Sequence, residues 1–422
     1  MKKLIAIAVV FALIAGTAFA ETTVGGSIFV GGTFLNGNNQ ERNSQDRQVH
    51  PQSTALGLDD GNSTIKIGFG EAEGGGNFRI KADNSWDMWY AWWVVSPMLR
   101  IQIGANPDGD FGTAQITGWG FTGEQKNNSG NQGALSDYGN AGSSFSSSRI
   151  GFYDGTSSTP NLQFSIFPAE GLRVNIWFPW GSNTSAADRF IKFHAQVSYK
   201  IPDIGTAFLS YKSDTGYLEA DANSPWGISQ ANSQAIHASF YLTAIDNLGV
   251  DLGLKYEFPI TVETAGIKNV SNKPFQIGLG ARYVSGDFTI KLRSGIEFPA
   301  SNVVDGTETD ASKNSAVTRV GVQLLPSYKI GNITVFFFTG LGIRSIADYE
   351  KTGAPAIYAT NKSNSIVDWF VNPYVFIPAG GVRFKVGFQL YSNGENNMVT
   401  KPGEEAVPTV NWAIPFGFYA YF

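Results

Sequence analysis

Apolar and polar residues alternate with a period of two along most of this chain, in segments of about 8 to 13 residues. Clusters of glycine, asparagine, serine and proline separate the segments. From Asp287 to Phe298, Phe288, Ile290, Leu292, Ile296 and Phe298 fall on one face, and Asp287, Thr289, Lys291, Arg293 and Glu297 on the other. Ile191, Phe193, Ala195, Val197 and Tyr199 stand in the same way against Lys192, His194, Gln196, Ser198 and Lys200. Val382, Phe384, Val386, Phe388 and Leu390 stand against Arg383, Lys385 and Gln389. Each segment therefore predicts a strand with one oily and one wet face, and helical spacing is nearly absent.

Weaker copies lie near residues 22–34, 64–70, 76–82, 98–105, 147–153, 162–178, 204–212, 234–258, 273–284, 317–344 and 366–377, several of them long enough for two strands. The pattern predicts an all-β fold, a transmembrane antiparallel up-and-down barrel of about 18 strands, within a range of about 16 to 20. Connection lengths carry an independent signal. From residue 179 onward, short turns at Pro202-Asp203, Asp246-Asn247, Ser285-Gly286, Ile330-Gly331 and Ala379-Gly380 interleave with long polar stretches at 213–233, 259–272, 299–316, 345–365 and 392–409. Outer-membrane barrels sort their connections in this way, with short turns inside and long loops outside. The stretches 35–63 and 106–146 are the longest loops, and the second is expected either to lie outside or to fold inward and narrow the lumen.

The beginning of the chain changes the picture further. Lys2 and Lys3 precede an apolar run from Leu4 to Ala15 and the small-residue pattern Ala18-Phe19-Ala20, which predicts a signal peptide over 1–20 cleaved after Ala20. The run is too short to span a bilayer as a helix, and no later stretch reaches that length. Residues 21–422 then form one barrel domain with long external loops. Only 15% of the chain is charged while aromatics reach 14%, against about 25% charged in an average soluble domain. The absence of cysteine excludes disulfides, a lipid-modified cysteine and thiolate metal sites.

Counting back by two from Phe422 gives Ala420, Phe418, Phe416, Ile414, Trp412 and Val410, all apolar. This resembles the C-terminal targeting strand of bacterial outer-membrane β-barrel proteins of the porin-like class. The resemblance implies that Phe416, Phe418, Ala420 and Phe422 address the chain to the barrel-insertion machinery, with outer-membrane lipid as its surroundings. Pro415 lacks a strand amide and predicts a bulge or break. Phe167-Pro168, Phe178-Pro179, Phe258-Pro259 and Phe298-Pro299 each end a strand and fit an aromatic girdle. The cluster Trp86, Trp89, Tyr90, Trp92 and Trp93 reads first as girdle, and otherwise as a platform on which sugars stack.

Catalytic and cofactor chemistry finds little support. His50, His194 and His237 are too scattered for a metal cluster, and Gly74-Gly75-Gly76 lacks the lysine and threonine of a phosphate loop. No cofactor, metal, nucleic-acid partner or enzymatic activity is expected. What stands out is where the charges fall. The chain is slightly acidic, yet its wet strand faces carry Lys66, Arg79, Lys81, Arg100, Arg173, Lys192, Lys255, Arg282, Lys291, Arg293, Arg319, Arg344, Arg383 and Lys385. Lys200 and Lys329 lie near strand ends. Against these bases stand Asp251, Glu257, Asp287, Glu297 and Asp368. These bases are the expected pore lining of a channel for passive diffusion of small hydrophilic solutes, with anions favoured. A surface adhesin or receptor, with the barrel as a mount for its loops, is the alternative.

Overall fold

The computed structural model describes residues 22–38, 57–58, 64–81, 86–105, 160–180, 193–213, 234–258, 260–264, 267–271, 275–298, 302–304, 307–308, 319–345, 365–392 and 410–422. The expected signal peptide, the segment 147–153, Lys192, His50 and most of the long loops lie outside these residues.

Consecutive strands pair antiparallel from Thr22–Asn38 through to Val410–Tyr421, and the last strand pairs back onto the first. Gly57–Leu58 only extends the first strand, and Val382–Gly387 and Gln389–Ser392 are two halves of one crossing. The wall is thus a closed antiparallel barrel of 18 strands, and closure leaves no sheet edge unpaired. Its tight turns need left-handed backbone, which Asp203, Asn247, Gly286, Gly331 and Gly380 supply.

The outer face is oily around the whole ring. Trp93, Ile103, Leu209, Leu252, Val322 and Leu341 are all exposed, at mid-strand positions where a soluble protein would place polar groups. Aromatic collars bound this belt. At the long-loop end Phe178 touches Phe164 and Phe193, Phe193 touches Tyr211, Tyr256 meets Phe258, and Phe275 stacks on Phe298 at 5.8 Å. At the short-turn end Tyr199, Tyr283 and Tyr328 stand exposed. Phe275 and Tyr283 share one strand, and eight steps at about 3.4 Å, tilted by about 40°, place the collars about 20 Å apart. That spacing fits the hydrocarbon layer.

The seam shows what the proline costs. Thr33 faces Pro415 but Leu35 faces Ile414, so the first strand bulges there. On the other side the ladder breaks between Val386, opposite Phe416, and Gln389, opposite Ala413. Two features went unread in the sequence. The stretches 259–272 and 299–316 are not featureless loops: Ile260–Thr264, Ile267–Ser271, Asn302–Val304 and Thr307–Glu308 pair into a small separate sheet. Phe167 is also no girdle residue, because the Arg173 guanidinium lies 5.4 Å over its ring, on the face opposite the belt.

Candidate functional site

Residues directly opposite one another in a ladder share a face, so one buried anchor fixes the orientation of its whole row. Arg79 lies opposite Met88, Lys291 opposite Leu325 and Arg293 opposite Gln323, and those partners are each 1% exposed. The same alternation puts Phe288, Ile290, Leu292, Phe384, Val386 and Phe388 on the outer face. Lys66, Lys81, Arg100, Arg173, Lys255, Arg282, Arg383 and Lys385 take the inner face. Positions 319 and 344 pair on the same face. The C-terminal positions Phe416, Phe418 and Ala420 are on the outer face.

The inner face is divided by chemistry. From strand Leu99–Ala105 to strand Gly205–Lys212 amides and hydroxyls predominate: Gln102, Gln163, Ser165, Asn175, Gln196 and Ser210 are all buried. They satisfy one another, as buried polar groups must. Gln163 Nε2 donates to Ser165 Oγ at 3.2 Å and Gln196 Nε2 to Ser210 Oγ at 2.9 Å. Arg173 joins this network through Ser165 at 3.3 Å and Asn175 at 3.0 Å.

The opposite arc is aromatic. Phe338, Phe370, Tyr374 and Leu325 form a buried cluster, with Phe336, Phe376 and Tyr241 packed against it. Phe336 and Tyr374 stack at 4.6 Å, and the Lys385 ammonium sits 4.1 Å over the Tyr374 ring. Tyr241 is the informative member. Three strands separate its own strand from Arg319–Ile330, the nearest strand of the cluster, so it meets the cluster across the lumen rather than through a ladder neighbour. At this level Tyr241 and the aromatic cluster narrow the lumen. The wet residues of the pattern were legible as inner face; these aromatics, on the same face, were not, because alternation reads them as oily and therefore outward.

The tryptophan cluster also divides. Trp89 and Trp93 are exposed in the outer belt, whereas Tyr90 and Trp92 alternate to the inner face beside Asn77, Gln102 and Arg100. His194 and His237 are both buried on the inner face, and His194 stacks on Trp177 at 4.3 Å. Among the described residues no group of three or more histidines and acids is placed to hold a metal.

No family model matches the chain, and no curated protein matches it. Among solved structures it is similar to the outer membrane channel DcaP of Acinetobacter baumannii, with 10% identity, 96% of this chain and 98% of that one covered, and a TM-score of 0.46. It is similar to the outer membrane protein opdK from Pseudomonas aeruginosa, with 11% identity, 95% and 99% coverage, and a TM-score of 0.44. It is similar also to an anion-selective porin from Comamonas acidovorans, with 10% identity, 96% and 100% coverage, and a TM-score of 0.42. These neighbours carry neither residues nor solutes over to this chain, whose architecture stands on its own strand pairing.

Proposed function

We propose that this chain is an exported outer-membrane channel through which small hydrophilic solutes diffuse, with anions preferred. An oily outer belt between two aromatic collars supports the membrane setting, and the pattern of residues 1–20 supports export. The observation that carries the selectivity is the sign of the inner face. Arg100, Arg173, Lys255, Lys291, Arg293 and Lys385 share it with Asp251, which is separated from Arg293 in the ladder by Gly280 alone, and the ladder turns the acidic positions 257, 297 and 368 to the same face at its long-loop end, with position 297 opposite position 319. Fixed charge of one sign between low-dielectric walls concentrates counter-ions. No catalytic step is assigned to any of these groups.

The test is the reversal potential of the full-length protein in a planar bilayer under a potassium chloride gradient. Chloride preference is expected. Cation preference overturns the selectivity, and absence of any conductance transfers the function to the loops.

A further inference from the structure

The geometry points to a binding site for a divalent tetrahedral oxyanion, inorganic phosphate or the phosphoryl group of a phosphomonoester, on the inner wall at its short-turn end. This deepens the channel reading and rests on it for access to the lumen. Four neighbouring inner-face positions make the site. Arg173 lies directly opposite Ser198 in one ladder, and Lys200 lies directly opposite Thr206 in the next. Ser198 and Lys200 are two residues apart on their strand, so all four side chains leave the same face. Strands about 4.8 Å apart and a two-residue step of about 6.8 Å put the four Cα atoms within about 12 Å of one another, a span that arginine and lysine side chains close onto one ligand. The groups are accessible from the lumen. Lys200 is exposed, and Arg173, Ser198 and Thr206 are half-buried, in contrast to the buried Asn175, Gln196 and Ser210 one row above.

Arg173 is set in place before any ligand arrives. Its guanidinium lies 5.4 Å over the Phe167 ring, its Nε donates to Asn175 Oδ1 at 3.0 Å and its Nη2 to Ser165 Oγ at 3.3 Å. A cation held in this way loses little freedom on binding. No carboxylate shares its wall: strands Asn161–Ala169, Leu172–Pro179, His194–Ile201 and Gly205–Lys212 contain no acidic residue. Glu170 and Asp203 stand in the adjoining short turns and are exposed, where water and salt screen them. The donor set selects the ligand. A guanidinium and an ammonium supply two positive charges, and two hydroxyls donate or accept as the ligand requires. A phosphate dianion meets this with two charges and up to four oxygens. Chloride answers the charge and leaves the hydroxyls without directed partners, and a single carboxylate brings half the charge and two oxygens.

Calorimetric titration of the detergent-solubilised full-length protein, in low salt at about pH 8 where a phosphoryl group carries two charges, reads the site without requiring conduction. Inorganic phosphate and glycerol 3-phosphate are titrated separately; binding of either supports the site, and the tighter one identifies the source of the phosphoryl group. Chloride and malonate should bind about ten-fold more weakly, as one lost charge-assisted hydrogen bond implies. Lys200→Gln and Thr206→Val should each weaken phosphate binding about ten-fold. Lys329→Gln removes a base from the corresponding place on another strand, next to last before a short turn, and should leave phosphate binding as it was. Absence of heat with both phosphates, phosphate binding that survives Lys200→Gln and Thr206→Val, or an equal loss in Lys329→Gln overturns the proposal. Chloride or malonate binding as tightly as phosphate overturns it as well. Binding without conductance refutes the channel alone, and conductance without binding refutes this site alone.

Discussion

Replacing Tyr241 by alanine should widen the pore at the level where this residue packs against the aromatic cluster. A circular barrel of 18 strands, spaced about 4.8 Å apart and tilted by about 40°, has a backbone radius of about 18 Å. Strands four steps apart, as those of Tyr241 and Leu325 are, would then stand about 19 Å from each other along a ladder row. Inner faces whose side chains touch stand only about 10 Å apart. The contact between Tyr241 and the aromatic cluster therefore means that the section is drawn in here. The tyrosine is held down over Gly249, where a Cβ would lie 2.9 Å from its hydroxyl. Truncation opens a slot about 5 Å wide, nearly two water molecules across. Single-channel conductance in symmetric salt should rise at least about two-fold. The cost in stability should stay within about 1–3 kcal/mol, since the ring is only partly buried and the ladder on both sides of its strand is untouched. Gly249→Ala, which lifts the ring without removing it, should alter conductance without that gain. Unchanged conductance in Tyr241→Ala would show that the ion path avoids the aromatic arc, and the argument from the cross-lumen contact would fail.

Three further outcomes follow from the placement of single residues. Val322→Arg, in the outer belt, should destabilise the barrel by about 2–4 kcal/mol in denaturant unfolding from lipid vesicles, while Gln323→Arg, its inward neighbour, should cost clearly less; equal costs would reverse the assignment of faces. Arg293→Met should move the reversal potential toward cations with little loss of stability, since a buried charge bound to Gln323 gives up desolvation cost as well as a hydrogen bond; an unmoved potential would remove Arg293 from the field of the pore. Phe422 closes the seam by exchanging backbone hydrogen bonds with Gly26 at 2.8 and 3.2 Å, and a Cβ on Gly26 would lie 2.5 Å from Thr64 O and 2.6 Å from the Phe422 ring. Gly26→Val should therefore lower the yield of membrane-inserted barrel, as deletion of Phe422 should, and a normal yield from Gly26→Val would leave the ring without a structural part in closure.

The wall was legible in the sequence because its two faces meet different solvents. Where lipid lies on one side and wet groups on the other, as at Phe288 to Glu297, a period of two is imposed residue by residue. The alternation of turns and loops was readable for a related reason, since tight turns demand left-handed backbone and so leave Asp203, Asn247 and glycines behind as marks. The aromatic arc was hidden by the same logic. Phe336, Phe338 and Tyr374 are as apolar as their outward neighbours Val335, Phe337 and Val375, so the run Val335–Phe338 reads as continuously oily and gives no sign of its inward half. The cross-lumen position of Tyr241 has no signal in sequence at all, because it depends on strands that are non-neighbours in both chain and sheet. Phe167 was misread because its Phe-Pro step matched three true collar residues, while the register shift between Ile166 and Ala169 precedes the turn.

The glycines join the narrowed lumen to the composition. Gly253, Gly278, Gly295, Gly321 and Gly342 are paired directly across five adjacent strands on the inner face. Glycine is a poor strand former, so a row of them in exact register needs a packing reason. The flanking row supplies it. Tyr241, Asp251, Arg293, Gln323 and Phe370 lie one ladder step toward the short turns, interrupted by Gly280 and Gly340. A Cβ on Gly340 would stand 2.4 Å from the Phe370 ring and 3.1 Å from Gln323 Cγ. Phe370 and Gln323 thus lie over bare backbone at Gly340, and Gly253, Gly278, Gly280, Gly321 and Gly342 are buried. The arrangement lets a wall carry bulky aromatics and a buried arginine at one level, and it is at this level that Tyr241 and the aromatic cluster narrow the passage. Residues held flat in this way have few alternative rotamers, so both the width and the charge of the passage are set by the wall itself.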